Sequence, residues 1–187
     1  MGPLGHAVIS GAVGGGVWMA TGSEGAAALA VGVGVLMDLD HVYDYYQWYV
    51  KGRRGRIYVA LHAWEYSVAG LGLLATGFYH PFLWATVLAH LAHVCTDQLS
   101  NDVSRFGYSI IYRLTKGFDI TFIAPHLDAG TEYRRLHRHI PFSRYWESWF
   151  ERKIYPCLDQ RLNRPGDSEE VDSSGAPIGP SRTGEER

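Results

Sequence analysis

The chain of 187 residues has few charged side chains and few cysteines, and each shortage excludes a class of protein. Charged residues make up 19% of the sequence and the formal net charge is -2, so nothing indicates nucleic acid as a partner. The two cysteines, Cys95 and Cys157, form no CxxC motif, and we expect no disulfide framework. No basic segment precedes the first apolar stretch, so a cleavable signal peptide is not expected.

Strand-like alternation of apolar and polar residues is also missing, and no internal repeat occurs. Hydrophobic residues nevertheless reach 47% and fill several long segments, which is typical of packed helices. We therefore predict an all-α fold, a compact bundle of about six or seven helices. In this interpretation residues 1–162 form the helical domain. Residues 163–187 are rich in Gly, Pro, Ser and Glu and form a disordered tail.

Breaks and caps place the predicted helices along the chain. Ser23 is a good N-cap for the second helix, and the residue before Pro81 is disfavoured in a helix. Residues 119–129 are expected to be irregular. The helices are predicted over residues 4–20, 24–50, 57–78, 83–99 and within 101–118, with a last helix or pair of helices over 130–162.

The stretch from Leu83 to Leu99 carries polar side chains inside an otherwise apolar helix. His90, His93 and Asp97 stand at i, i+3 and i+7, so they share one helix face. Burying an unpaired imidazole or carboxylate costs several kcal/mol, and such groups are normally paired or bound to a metal. The stretch therefore predicts a functional site on this face.

Three further apolar segments carry side chains that can bind metal ions. A set of nitrogen and oxygen ligands without thiolates is typical of zinc, manganese or iron in a catalytic role, rather than of a closed structural zinc site. The candidates exceed what one ion can use, so a two-metal centre is expected, with leftover carboxylates orienting a histidine or acting as general base. The nine candidates are His6, Asp38, Asp40, His41, His62, Glu65, His90, His93 and Asp97.

Such a centre predicts a reaction class. A bound ion lowers the pKa of a coordinated water from 15.7 towards about 7 and stabilises charge that develops on a phosphoryl or carbonyl oxygen. Hydrolysis of a phosphoester suits an oxygen-rich centre of this kind. We therefore predict an enzyme with roughly one to three divalent ions, zinc first and manganese or iron as alternatives, that acts on a small-molecule or lipid phosphoester.

Four short motifs, in this order, resemble the YdjM-like family of membrane-bound metal-dependent hydrolases. The resemblance covers roughly residues 4–118 and implies that His6, Asp40, His41, His62, His93 and Asp97 are metal ligands, to which the polar helix face adds His90. More distantly, the His-x-x-x-Asp spacing is similar to the all-α zinc phospholipase C and P1 nuclease group, which implies a helical phosphoesterase. The motifs are Gly5-His6, Asp38-Leu-Asp40-His41, Leu61-His62-Ala-Trp-Glu65 and His90-x-x-His93-x-x-x-Asp97.

The motif around His62 departs from the family pattern. Many members read His-Arg-Gly-x-x-His-Ser where this chain has His62-Ala-Trp-Glu65-Tyr-Ser67. The difference implies that Glu65 takes the place of the missing histidine or acts as the catalytic base. Asp38, which follows Met37 instead of a proline, is the second candidate for a catalytic carboxylate.

Membrane association is predicted by an apolar run and a basic cluster. The uninterrupted apolar run of residues 25–37 is shorter than the about 20 residues that a full span needs, so a buried or half-embedded helix is expected. The basic segment Lys51 to Arg56 follows an aromatic run, which is typical of a membrane-surface anchor and equally of a solvated turn. We predict location at the cytoplasmic membrane, integral or peripheral, with the active site on the cytoplasmic side.

Two other functions are compatible with the sequence. In a non-catalytic, membrane-associated helical scaffold or binding protein, the buried histidines and carboxylates would pair only with one another. The His90-x-x-His93 pair is faintly similar to a histidine box of an iron redox enzyme, although the usual further histidine clusters are missing. Metal analysis separates the three: zinc favours the hydrolase, no tightly bound metal the scaffold, and iron with optical absorption the redox enzyme.

Overall fold

The computed structural model describes residues 3–134 and 142–162 of the chain. Within these two ranges there are seven helices and no strand, which confirms the all-α prediction. The predicted tail, residues 163–187, lies outside the described residues.

The helices are numbered α1 to α7 in chain order. The second helix consists of four pieces: the α-helix Glu24–Leu36, the 3-10 turn Met37–Asp40, the short α-helix His41–Tyr45 and the π-helix Tyr46–Val50. The last joins Ser143–Trp149, Phe150–Ile154 and Tyr155–Leu162. The bounds are α1 Pro3–Thr21, α2 Glu24–Val50, α3 Trp64–Ala75, α4 Pro81–Ser100, α5 Ile110–Thr115, α6 Ile120–Ile123 and α7 143–162.

Helices α1 to α4 form a bundle of two hairpins, α1–α2 and α3–α4. Helix α4 is central, because it packs against α1, α2 and α3. The connections at residues 22–23 and 76–80 lie at one end of the bundle, since the start of α2 contacts the start of α4: a Cβ atom added at Gly25 would lie 3.3 Å from the ring of Phe82. The start of α1, the 3-10 turn of α2 and the second half of α4 therefore meet at the opposite end.

Small residues bring α1 and α2 into close contact. A Cβ atom added at Gly14 would lie 2.8 Å from the carbonyl oxygen of Ala27. A Cβ atom at Gly34 would overlap the hydroxyl of Ser10. Glycine lowers helix propensity, but here it allows two backbones to approach more closely than larger side chains would permit.

The cap predicted at Ser23 is confirmed, because its side chain accepts a hydrogen bond from the backbone N–H of Ala26. The helix predicted over residues 57–78 is wrong in its first part. Residues 57–63 are not helical, and the helix begins only at Trp64. The segment predicted as irregular contains one helical turn, Ile120–Ile123, which Asp119 caps by accepting from the N–H of Thr121.

Within the described part of the chain, one helix is long and apolar enough to cross a membrane. This helix is α2, Glu24–Val50, whose most apolar window has a mean hydropathy of 1.4. The criterion is length and composition alone, and the core helix of a soluble protein can meet it as well.

Candidate metal centre

Side chains from four segments meet at the end of the bundle opposite the two hairpin connections. They form two groups in which all potential ligand atoms lie within 4.8 Å of one another. Asp38 belongs to both groups. The first consists of His6, Asp38, His93 and Asp97, and the second of Asp38, His41 and His62. These six residues are called the His/Asp cluster below.

The spacing inside the His/Asp cluster is that of ligands around a common ion. The Nε2 atoms of His62 and His93 are 3.0 Å apart. Each lies close to the Oδ2 atom of Asp97, at 3.3 Å and 3.4 Å. Ligands of a tetrahedral zinc ion with bonds of about 2.0–2.1 Å are about 3.3 Å from one another. The cluster can therefore hold a metal ion without rearrangement of these three side chains.

Hydrogen bonds on the outer side fix which nitrogen of each ring faces the cluster. His93 Nδ1 lies 2.7 Å from the carbonyl oxygen of Gly34, which can only accept, so Nδ1 carries the proton. His62 Nδ1 lies 3.0 Å from Oδ2 of Asp40 and donates in the same way. Both rings therefore turn an Nε2 lone pair inward. Two lone pairs 3.0 Å apart repel each other unless a cation, either a metal ion or a proton, lies between them.

His6 supplies a second sign that a ligand belongs here. Its side chain is 1% exposed, and its Nε2 atom has no hydrogen-bond partner although it lies 3.1 Å from Oδ1 of Asp97. Its ring stacks on that of His93 with 3.9 Å between the centroids. Buried polar atoms are nearly always satisfied, and a bound ion would satisfy this one.

Asp38 lies between the two groups. Its Oδ1 atom is 3.5 Å from Nε2 of His62 and 3.4 Å from Nε2 of His93, and its Oδ2 atom is 3.9 Å from Nε2 of His6. Nε2 of His41 is 3.8 Å from Oδ1. Asp38, predicted as a catalytic carboxylate, thus belongs to both groups of atoms that could hold a metal ion.

Opposite charges inside the cluster stabilise each other. Burial alone would lower the pKa of His62, but the hydrogen bonds that its ring donates to the carboxylates of Asp38, Asp40 and Asp97 raise it to about 11. Burial would also lower the pKa of His93, but its hydrogen bonds to the carboxylates of Asp38 and Asp97 raise it to about 9. Burial would raise the pKa values of the Asp38 and Asp97 carboxyls, but the hydrogen bonds with the histidines lower them well below their ordinary range. Protons thus neutralise the metal-free cluster, and an incoming cation has to displace them.

Three of the predicted site residues, Asp40, His90 and Glu65, lie outside the two groups of potential ligand atoms. Asp40, predicted as a ligand, lies behind His62 and also accepts from the N–H of Leu61 at 2.7 Å. His90, also predicted as a ligand, uses both ring nitrogens elsewhere. Its Nε2 donates to the carbonyl of Leu61 at 3.0 Å, and its Nδ1 accepts from the hydroxyl of Ser67 at 2.6 Å. Neither Asp40 nor His90 belongs to the groups of ligand atoms found among the described residues.

Glu65, predicted as the catalytic base, is not brought to the cluster either. Its carboxylate accepts from the hydroxyl of Ser109 and from the N–H groups of Ile110 and Ile111, at 2.6, 3.0 and 3.2 Å. It therefore stabilises the start of α5. The physical reason is that α3 begins at Trp64, so His62 and Glu65 do not share a helix face as predicted.

Arg113, which the sequence analysis did not single out, holds the segment that carries His62. Its side chain is fully buried, at 0% exposure. The guanidinium donates to the carbonyl oxygens of Tyr58, of Val59 at 2.6 Å and of His62 at 2.8 Å. The signal in the sequence is a single charge inside the apolar stretch Ile-Ile-Tyr-Arg-Leu of α5.

Asp44 holds the same segment through its N–H groups. Its buried carboxylate accepts from the backbone N–H of Tyr58 at 2.8 Å and of Val59 at 3.0 Å. Burial raises the pKa of Asp44 to about 6, although these two hydrogen bonds favour the charged form. Val59 has a positive φ of 33°, a strained value for a β-branched residue. Two buried side chains, Arg113 and Asp44, therefore hold the segment 57–63 in this strained conformation, besides the bond from the N–H of Leu61 to Asp40.

A cavity of about 330 Å³ opens beside the cluster. Ligand and substrate sites commonly have volumes of about 300–1,000 Å³. Among the described residues, no Lys or Arg lines the cavity. Asp38, His41 and Asp97 form part of its wall, and the apolar part includes Tyr45, Trp48, Val103, Tyr108, Ile123 and Leu127.

No family model, no curated protein and no solved structure matches this chain. The resemblance to the YdjM-like family therefore stays a prediction, and the metal centre depends on its geometry.

Proposed function

We propose that the chain is a metal-dependent hydrolase that cleaves a phosphoester at the His/Asp cluster. The observation that carries the proposal is the pair of inward Nε2 atoms of His62 and His93, 3.0 Å apart and both beside the carboxylate of Asp97. All three side chains are buried, and Asp97, together with Asp38 and His41 of the same cluster, borders an open cavity. A structural ion would not need such an opening, whereas a reacting molecule does.

Zinc is the ion that this ligand set fits best, because imidazole nitrogens and carboxylate oxygens are its usual ligands in catalytic sites. Two ions would share Asp38, one beside His6 and one beside His41. When bound, they would supply a hydroxide at neutral pH and neutralise charge on the phosphoryl oxygens. Manganese and iron are the alternatives for the same ligands.

The chain's own residues orient the reaction. Asp40 and the carbonyl of Gly34 fix the tautomers of His62 and His93, so that both keep an Nε2 lone pair towards the cluster. The cavity beside Asp38 and His41 accommodates the part of the substrate that is not phosphate. In the reaction a water oxygen bonds to phosphorus, the bond from phosphorus to the ester oxygen breaks, and the departing oxygen takes up a proton.

The four motifs that resemble the YdjM-like family support the same reaction class, since all six residues of the cluster come from them. The iron redox alternative loses its support. Its histidine pair is split between two environments, because His90 bonds to Ser67 and Leu61 while His93 faces the cluster.

The scaffold alternative has one observation in its favour. His62 and His93, when protonated, balance the charges of Asp38 and Asp97 without a metal ion. A scaffold of this kind would bind no metal tightly and would hydrolyse nothing.

Metal analysis combined with a panel of phosphoesters tests the proposal. We expect about two zinc ions per purified chain and turnover of at least one phosphomonoester or phosphodiester. The variant His93→Ala should lose the metal and the turnover. His80→Ala, which removes an exposed histidine of the same chain, is the matched control and should keep both. A wild-type chain that binds no divalent ion with a Kd below the millimolar range would refute the proposal.

A further inference from the structure

Charged residues are almost absent from the two helical hairpins. Glu24 is the only Asp, Glu, Lys or Arg in residues 3–37, and Glu65 is the only one in residues 64–96. Every Lys and Arg of the chain lies in residues 51–56 or after residue 104. The bundle therefore has a part of low charge, which contains the hairpin connections and, beside the first of them, the single carboxylate of Glu24, and all the basic residues lie outside it.

Large apolar side chains are exposed on this part of low charge. Met19, beside the first hairpin connection, is 85% exposed, and only 22% of the most apolar window of α2 is buried. Soluble monomers rarely expose a continuous apolar surface of this extent. The exposed side chains include Val8, Trp18, Met19, Val68, Leu73 and Phe78.

The exposed apolar residues occur on both α1 and α3. Both helices pack against α4, and they do not form a substantial contact with each other. A second copy of the chain or another folded protein would cover one side of the bundle. Lipid covers all sides at once, and we therefore take lipid as the occupant of this surface.

The lengths of the hairpins match one half of a bilayer. From His6 to the end of α1 at Thr21 the helix rises about 22 Å, and from Pro81 to His93 α4 rises about 18 Å. A bilayer with its headgroups is about 40–45 Å thick, so one half measures about 20–22 Å. Hairpin connections that reach the midplane would place the His/Asp cluster at the depth of the lipid phosphates.

The position of the basic residues agrees with this depth. Helix α2 runs from the hairpin connection past Asp38 and ends at Val50, and the segment 51–56 follows it. Lys51, Arg53, Arg54 and Arg56 are therefore beyond the cluster, away from the apolar end. The basic residues therefore lie on the water side from which the hairpins insert, and the side of a membrane that carries most Lys and Arg is usually the cytoplasmic one.

We propose that the two hairpins insert into a bilayer from one side, with the connections 22–23 and 76–80 near the midplane and the His/Asp cluster among the headgroups. The substrate is then a phosphoester of a lipid in that leaflet. The statement about the substrate rests on the proposed function. The statement about insertion does not, because it needs neither metal nor hydrolysis.

Vesicle binding by the full, metal-free chain tests the insertion. We expect binding to vesicles of phosphatidylcholine, and tighter binding when a quarter of the lipid is phosphatidylglycerol. The double variant Met19→Glu/Phe78→Glu, which charges both connections, should lower the partition coefficient at least about tenfold, because each carboxylate would enter hydrocarbon. The matched control, Ile111→Glu/Leu114→Glu, charges two exposed residues of α5 and should change it less than about twofold.

If Met19→Glu/Phe78→Glu binds vesicles as tightly as the wild type and keeps its helical circular dichroism, the proposed insertion is wrong. Equal losses in both double variants would overturn the assigned surface. A wild-type chain that forms a stable dimer in buffer and does not bind vesicles would show that a second copy covers the apolar residues, and this too would overturn the proposal.

The depth is measured through Trp18, which is 52% exposed near the first connection. Bromine atoms near the ends of the lipid acyl chains should quench tryptophan fluorescence of the wild type more than that of Trp18→Phe. Quenching of Trp18 only by bromine close to the headgroups would overturn the depth.

The substrate assignment has its own measurement. With zinc bound, we expect faster release of the headgroup from long-chain phospholipid in vesicles than from the same lipid with short, soluble chains. Equal rates on both would overturn the lipid assignment. Vesicle insertion without hydrolysis of any phosphoester would refute the proposed function and leave the insertion standing.

Discussion

The histidines of the cluster are delivered by two kinds of backbone. His6 and His93 lie on α1 and α4, whose backbone groups are hydrogen-bonded within the helix. His62 lies on the non-helical segment 57–63, whose carbonyl and N–H groups are held by the side chains of Arg113 and Asp44. A helix carries its own support, whereas the segment 57–63 depends on residues that are distant in the sequence. The two kinds of support should therefore respond differently to substitution.

The largest effect is expected for Arg113→Leu. The substitution leaves the carbonyls of Tyr58 and His62 without a donor, each at a cost of about 1–3 kcal/mol, whereas the carbonyl of Val59 keeps the N–H of His62. We expect the free energy of unfolding in urea to fall by about 2–5 kcal/mol, the sum of two such losses. Arg144→Leu, at an exposed position of α7, is the control and should change it by less than about 0.5 kcal/mol. A loss below about 1 kcal/mol for Arg113→Leu would mean that the segment does not depend on Arg113.

The next largest effect is expected on zinc affinity, and it tests whether Asp40 orients His62 of the non-helical segment. Asp40→Asn keeps an oxygen near His62 but removes the charge that holds Nδ1 protonated. Substitutions of this kind typically lower metal affinity by about 10–100-fold, and we expect a loss in this range for zinc, measured by competition with a chelator. Asp119→Asn, which alters an exposed cap of α6, should leave the affinity unchanged. An unchanged affinity in Asp40→Asn would show that packing alone orients His62.

The sequence predicts the residues on α4 better than it predicts the segment 57–63. The spacing of His93 and Asp97 places both on one face of α4, and the structure brings both to the cluster. His90 stands three positions before His93, a rotation that leaves the two about 60° apart around the helix axis. That offset is enough for His90 to face Ser67 of α3 instead. Periodicity identifies a face but not which neighbour lies against each part of it.

The segment 57–63 was beyond the reach of local patterns for a different reason. Its composition is compatible with a helix, so the prediction extended the helix from residue 57 to residue 78. The alternative conformation is favoured by Asp44 and by Arg113, which bonds to Val59 across 54 positions of the chain. Tertiary contacts of this kind override local propensity, and nothing within the segment itself reveals them.

A smaller effect should appear in the pH dependence of stability. In the metal-free chain the pKa of His62 is raised to about 11 and that of His93 to about 9. Their protonation therefore stabilises the fold fully below about pH 6.5, the value in the unfolded chain, and less as the pH rises towards 9 and above. We expect the Tm of the metal-free chain to decrease between pH 6.5 and pH 9.

Zinc should reverse this trend, because it displaces the same protons. Each displaced proton lowers the apparent Kd about tenfold per pH unit, so the increase in Tm on adding zinc should be larger at pH 8 than at pH 6. In the variant His93→Ala, the decrease in Tm with rising pH and the increase in Tm on adding zinc should both be smaller than in the wild type. An increase in Tm that does not change with pH would indicate that zinc binds elsewhere.

The smallest effect is expected for Glu65→Gln, at the start of α3. Because the carboxylate accepts from the N–H groups of Ile110 and Ile111 at the N-terminus of α5, its neutral amide should weaken that helix by about 1 kcal/mol. Zinc affinity and turnover should stay within about twofold of the wild type, since Glu65 belongs to neither ligand group of the described chain. Urea unfolding and steady-state kinetics measure the two quantities on one preparation. A loss of turnover by more than about 100-fold with unchanged stability would restore Glu65 as the base that its place in the motif implies.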